Sequence, residues 1–227
     1  MLIFGIDTSG KSGGVTLAEA SETTGFGVLA SAPIAGGTFS AQLVPTIAAL
    51  LETSRLGIRD IDGFAAASGP GSFTGLRVGL SAIKGLAEVL HKPIATVSLL
   101  EAVAASSPQN GKIIAALDAG RSEVFCGWYQ VENGKSTCLN EQLLSSSELI
   151  EETKKRDIVL TLTSEPMLKE KLSGVGVEVH LTERPDSSMI ARIGASKLIA
   201  GQTISVEALD ANYLRRSDAE IFFKGSR

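Results

Sequence analysis

Residues 69–90 restrict the fold more than any other stretch. Gly69-Pro70-Gly71-Ser72 precedes a helix-forming segment that runs from Phe73 to Leu90 and stops before Pro93. Ser72 is a good N-cap, because its hydroxyl can accept from the amide of Thr74 or Gly75. At about 100° per residue, Phe73, Leu76, Leu80, Ile83, Ala87 and Leu90 form one bulky stripe. Gly75, Gly79 and Ala82 form a second stripe of small residues beside it. Arg77, Ser81, Lys84 and Glu88 are left in a narrow polar strip. Apolar and small residues together span about 200°, roughly twice the apolar arc of an ordinary surface helix. Gly75, Gly79 and Gly85 cost about 3 kcal/mol in total relative to alanine, so close backbone packing must offset them. One stripe can lie on a sheet, and the other wants a second helix. That helix is either internal, such as Ala41–Ser54, or part of another subunit.

Charge is distributed in keeping with a covered surface. Positions 1–100 hold 13 charged residues and 15 of the 24 glycines, whereas 101–227 hold 33 charged residues. Residues 23–51 carry no charge, yet Gly25, Gly27, Pro33, Gly36, Gly37 and Pro45 break any apolar helix of membrane-spanning length. The net charge of -4 argues against this chain gripping nucleic acid by itself. Two histidines and two cysteines exclude zinc fingers, multi-histidine metal centres and a disulfide framework. The N-terminus MLIFGIDTSG has no signal-peptide pattern, so a cytoplasmic protein with free thiols is expected. Cys126 and Cys138 flank an Asn133-Gly134 turn, and a two-residue turn places Cys138 opposite Tyr129, not opposite Cys126.

The patterning predicts a mixed α/β chain. Strands are expected at Leu2–Asp7, Val15–Ala18 and Phe26–Ala30, then a helix at Ala41–Ser54 and a buried strand at Phe64–Ala67. After the helix from Phe73 come a strand at Ile94–Val97 and a short helix from Leu99. Further strands are expected at Ile113–Leu117, Val124–Val131 and Ser136–Leu144. Beyond them helices at Glu148–Thr153, Met167–Leu172 and Met189–Ala200 alternate with strands at Ile158–Leu162 and Val175–His180. Ser106 to Gly111 is the best linker, so domains 1–105 and 106–227 are expected. No short sequence repeat is present.

Gly5-Ile6-Asp7-Thr8-Ser9-Gly10-Lys11-Ser12 fits the letters of a P-loop. A P-loop also needs a helix beginning at the lysine, and here Gly13-Gly14 and a strand former follow. A glycine-rich β-turn, or a hairpin whose Thr8, Ser9 and turn amides contact phosphate, suits the residues better. The Gly69–Ser72 loop is open to two interpretations, an anion site or a tight connection. Neither His91 nor His180 stands in a nucleophile motif, which leaves Ser/His/Asp hydrolysis unequipped. Asp7 and Asp118 both end apolar strands and can serve as kinase-like acids or as turn residues.

Several segments together resemble the TsaB (YeaZ-type) family of the bacterial tRNA threonylcarbamoyladenosine machinery. They are Phe4-Gly5-Ile6-Asp7-Thr8-Ser9, Gln42-Leu43-Val44-Pro45, Ser68 to Gly79, Leu117-Asp118-Ala119, Glu123-Val124 and Tyr213-Leu214-Arg215. The resemblance is strong over about residues 1–130 and weak between 140 and 205. Three departures fall in the second part: Asp118-Ala119-Gly120 for the usual Asp-Ala-Arg, Phe125 for Tyr, and Ala211 for Pro. The resemblance implies an actin/sugar-kinase/Hsp70-like (ASKHA, RNase H-like) fold of two related lobes, with the last segment packing back on the first lobe. It implies a silent relative of TsaD, the ATP-dependent transferase, whose metal-binding histidines are missing from Thr38-Phe39-Ser40-Ala41-Gln42.

A non-catalytic subunit is therefore expected, pairing with a TsaD-type transferase and a TsaE-type ATPase to modify adenosine 37 of tRNA. Alone it is expected to be a homodimer, without a membrane or metal, touching tRNA only through the complex. ATP or ADP is expected, if anywhere, at the subunit junction. Nucleotide or phosphate contacts are expected from Asp7, Thr8, Ser9, Gly69, Gly71 and Ser72. The subunit interface is expected at Gly75, Leu76, Gly79, Leu80, Ala82 and Ile83, so that Gly79→Leu breaks pairing and spares the fold. The alternative is an autonomous ASKHA-type ATPase or phosphotransferase. A glycoprotease of the M22 type lacks both a histidine pair and a nucleophile motif.

Overall fold

The computed structural model describes residues 1–155, 157–212 and 214. Tyr213 and Arg215 of the resemblance, and Arg156, lie outside the described residues. The elements run β1 (Leu2–Asp7), β2 (Ser12–Ser21), β3 (Gly25–Ala35), α1 (Phe39–Thr53), β4 (Gly63–Gly69), α2 (Phe73–Leu90), β5 (Ile94–Ser98) and α3 (Leu99–Ala105). They continue as β6 (Gly111–Gly120), β7 (Glu123–Glu132), β8 (Lys135–Ser145), α4 (Ser146–Thr153), β9 (Ile158–Thr163), α5 (Pro166–Ser173), β10 (His180–Leu181) and α6 (Ser187–Ile199). Two compact units result. The first is Met1–Ala102 with Pro185–Ala211, and the second is Val103–Arg184 with Asn212.

The first unit is built on a sheet of order β3-β2-β1-β4-β5. β1, β2 and β3 form an antiparallel meander, while β4 and β5 run parallel to β1 and to each other. Alternation along the strands sends side chains to two faces. Phe4, Ile6, Phe64 and Ala66 join Leu43, Ile47, Leu76, Leu80 and Ile83 of α1 and α2 in one core. The opposite residues meet α6, which comes from far along the chain. A Cβ on Gly5 would come within 2.6 Å of the Ala191 Cβ, and one on Gly194 would collide with Ala65. A buried Thr16–Ser187 hydroxyl pair at 2.8 Å fixes the start of α6 on β2.

The second unit repeats this plan. Its sheet has the order β10-β9-β6-β7-β8, with β6, β7 and β8 antiparallel and β9 and β10 parallel to β6. Ile114, Cys126, Trp128 and Leu144 pack against Leu149 of α4 and Leu168 and Leu172 of α5. A three-strand meander followed by two parallel strands, built twice, is the two-lobed ASKHA plan with mixed sheets. The hairpin register is the expected one. Asn133 and Gly134 form a two-residue turn with φ of 51° and 73°, and Cys138 stands opposite Tyr129.

One predicted element differs. Val175–His180 is not a strand, and β10 is only His180–Leu181. The chain instead turns out of α5 through Gly176 at φ 85°, and the Val177 N–H donates to the Leu172 carbonyl oxygen at 3.0 Å. Val177 and Val179 still alternate into the core, which explains their strand-like sequence.

Candidate functional site

β1 ends at Asp7, and β2 starts at Ser12. The P-loop-like run is therefore a strand, a turn and the first residue of the next strand, with no helix at Lys11. Asp7 is buried beneath this turn. One of its carboxylate oxygens accepts the Ser9 N–H at 2.8 Å and also the Ser9 hydroxyl in a short hydrogen bond. The Ser72 N–H donates to the Ser9 carbonyl oxygen at 2.7 Å, which joins the turn to the loop leading into α2. Gly69 has φ 110° and precedes a cis bond to Pro70. A Cβ at Gly71 would strike the Ser9 carbonyl oxygen, so this approach requires glycine. Ser72 caps α2 as expected, accepting the Gly75 N–H at 3.2 Å.

Asp7, Thr8, Ser9, Gly69, Gly71 and Ser72 are thus brought together. Hydrogen bonds join Asp7 to Ser9 and Ser9 to Ser72. Thr8 and Ser9 are buried, with the Thr8 Oγ1 against α2 and the Ser9 Oγ on Asp7. The two hydroxyls expected to meet phosphate point inward. For the Thr8 and Ser9 hydroxyls to reach a phosphate, those buried contacts would have to open. Gly71 and Ser72 remain exposed.

The small-residue stripe has an occupant in the same chain. A Cβ on Gly75 would overlap the Thr8 carbonyl oxygen, and one on Gly79 would overlap the Thr8 Oγ1. Gly75, Leu76, Gly79, Leu80 and Ile83 are all buried in the first unit, and Ala82 is half-buried. At Gly75 and Gly79 the turn at Thr8 lies against the stripe within this chain. The sequence signal for Thr8 was the four-residue spacing of Gly75 and Gly79, which marks one close contact line on a helix.

Near the end of β6, Asp118 is exposed and its carboxylate accepts the Gly120 N–H at 3.2 Å. The Asp118 N–H donates to the Glu165 carboxylate at 2.6 Å. Glu165 precedes α5, and no motif pointed to it. Burial pushes its carboxyl above the ordinary range, and the Asp118 charge adds to this, while the Asp118 N–H and Arg184 act in the other direction. His91 closes α2 in the left-handed conformation at φ 53°, its N–H on the Ala87 carbonyl oxygen. His180 is exposed, 3.4 Å from the Glu178 carboxylate. No group of three or more His, Cys, Asp or Glu able to hold a metal ion occurs among the described residues. None of the described helices is long and apolar enough to cross a membrane.

Comparison with known proteins agrees with this architecture. The family model described as TsaD, tRNA N6-adenosine threonylcarbamoyltransferase, matches residues 19–208. The tRNA threonylcarbamoyladenosine biosynthesis protein TsaB of Bacillus subtilis is 30% identical over 190 residues, which are 80% of this chain and 81% of the relative. The Escherichia coli protein of the same name is 29% identical over 78% of this chain and 81% of its own length. A Pseudomonas aeruginosa crystal structure, described as similar to peptidase YeaZ, superposes with a TM-score of 0.77 at 24% identity. It covers 94% of this chain and 99% of its own, which establishes the shared fold. With the doubled sheet plan, the Asp7 turn packed on the Gly69–Ser72 loop, and these matches, the chain belongs to the TsaB (YeaZ-type) branch of the TsaD family.

Proposed function

We propose that this chain acts in tRNA threonylcarbamoyladenosine biosynthesis, the role for which its Bacillus subtilis and Escherichia coli relatives are named. It does so in the cytoplasm as a non-catalytic subunit that pairs with a TsaD-type transferase and works with a TsaE-type ATPase. Alone it pairs with a second copy, and tRNA is met only through the complex. Any ATP or ADP is assigned to the junction between subunits, because the Thr8 and Ser9 side chains are buried inside this chain and the Ser9 hydroxyl is bonded to Asp7.

The observation that carries the pairing is the outer side of α1 and α2. Helix α1 has no charged residue before Glu52. Its exposed Ala41, Val44, Pro45, Ala48 and Ala49 present small apolar groups. Val44 is 65% exposed, and Val89 on α2 is 77% exposed. At Gly85 of α2 a Cβ would meet nothing within 4 Å. A face this poor in charge and made of small side chains suits close packing against helices of another subunit.

Mixing the purified chain with its TsaD-type transferase and measuring the native mass tests the proposal. A heterodimer is expected, and Val44→Asp combined with Ala48→Asp is expected to abolish it without changing the circular dichroism. A complex that survives both substitutions places the interface elsewhere. No association of the parent chain, or steady ATP turnover by the isolated chain that Asp7→Ala abolishes, refutes the non-catalytic pairing role.

A further inference from the structure

Helices α1 and α4 occupy the same place in the two copies of the fold, but α1 has 15 residues and α4 has eight. At about 1.5 Å per residue, α4 is about 10 Å shorter. Beyond its C-terminal end the sheet face of the second unit opens as a cleft of about 280 Å³. Leu139, about half exposed, and the edge of the largely buried Trp128 give it an apolar wall. Asn140 and Gln142, two residues apart on β8, present their side-chain amides from one face of the strand. Lys112, Glu152 and Lys155 complete the rim. Lys155 pairs with Glu152 at 2.5 Å, and Lys112 pairs with Asp157. Among the described residues both rim lysines are therefore paired with carboxylates, and the rim is rich in hydrogen-bonding groups.

We infer that this cleft binds a ribonucleoside unit. Side-chain amides match the paired donor and acceptor on a nucleobase edge. A carboxylate such as Glu152 suits ribose hydroxyls, as acidic residues do in dinucleotide sites. Trp128 and Leu139 supply contact for the apolar surface of the base. A charge-balanced rim favours an uncharged, hydrogen-bonding ligand and does not require phosphate. The volume lies near the lower end of the range for small-molecule pockets, which limits the occupant to about one nucleoside. The unit comes either as a free nucleoside or nucleotide, or as one unpaired nucleotide of RNA. The inference stands apart from subunit pairing, since every residue named lies in the second unit.

Trp128 is the only tryptophan in the chain and lines the cleft, so a change there is read in its emission. The full chain is titrated with adenosine, AMP, a short oligoadenylate and, as a control, glucose. A saturable emission change with adenosine is expected, and Asn140→Ala and Gln142→Ala should each weaken it about tenfold, as loss of one hydrogen bond to the ligand does. Circular dichroism checks that both variants fold. Equal binding of adenosine and AMP supports a free ligand, and tighter binding of the oligoadenylate supports RNA as the source. The inference is overturned by no saturable change with any of the three up to about 10 mM. It is equally overturned by binding unaltered in both variants, or by glucose matching adenosine.

Discussion

Gly79→Ala places one methyl group against Thr8 and so measures what holds the glycine in α2. The added Cβ would overlap the Thr8 Oγ1 and approach the Thr8 Cβ and Cγ2 to 3.4 Å each. Alanine gains about 1 kcal/mol of helix propensity over glycine. Overpacking a filled site costs about 1–3 kcal/mol. The expected net effect is a loss of about 1 kcal/mol, or about 3 °C in Tm. Thr8→Ala removes the obstructing hydroxyl and methyl. In that background Gly79→Ala should therefore stabilise, by about 1 kcal/mol. The sign reversal corresponds to a coupling energy of about 2 kcal/mol in a double-mutant cycle, within the range seen for residues in contact. Gly75→Ala serves as a contrast, because its obstruction is the Thr8 carbonyl oxygen and Thr8→Ala leaves it in place. Gly85→Ala meets nothing within 4 Å and should add about 1 kcal/mol to the isolated chain. Urea titrations followed by far-ultraviolet circular dichroism are the assay, since the emission of Trp128 reports the second unit. If Gly79→Ala is as stable as the parent and shows no coupling to Thr8→Ala, the close contact is not what selects glycine.

Two further outcomes follow from the titratable groups. Glu165 has its folded pKa raised above its unfolded one, so the folded chain holds that proton longer and stability declines as pH rises from the unfolded pKa through the folded one. Glu165→Gln should remove this decline, so the parent falls behind the variant in urea midpoint as pH rises from about 4 towards 7; a difference that does not vary with pH contradicts the assignment. Cys138 is exposed, whereas burial pushes the Cys126 thiol up to about 12. An aromatic disulfide reagent at mild alkaline pH should therefore consume one thiol quickly and none in Cys138→Ser, and two fast equivalents would show that the Cys126 pocket opens readily.

Much of the site was legible before any coordinates. Ser72 as cap, Leu90 as the last residue of α2, and the Asp7–Ser9 and Gly69–Ser72 segments all follow from local chemistry, and the structure brings the two segments together. Their roles were not legible. A hydroxyl in a glycine-rich turn has the same sequence whether it faces a ligand or its own helix, and only the packed position of Thr8 distinguishes the two. Glu165 escaped notice for a similar reason, since it lies 47 positions from Asp118 in an unremarkable polar stretch.

The amino-acid sequence by itself determined what short-range rules control. The span of α2 follows from its cap and from Pro93, and the partner of Cys138 follows from a two-residue turn that sets the register from Glu132–Lys135 as far as Tyr129–Cys138, where a bulge intervenes. Tertiary structure alone decided three things: that the β-sheet plan is built twice, that α6 returns to the first sheet, and that Thr8 covers the glycine line of α2. The physical reason is common to all three. A core asks only for apolar residues at alternating or helical spacing, which many unrelated sequences satisfy, so the duplication leaves no sequence repeat. The identity of the partner across 70 or more residues is settled by which surfaces fit, a property that neither segment carries alone.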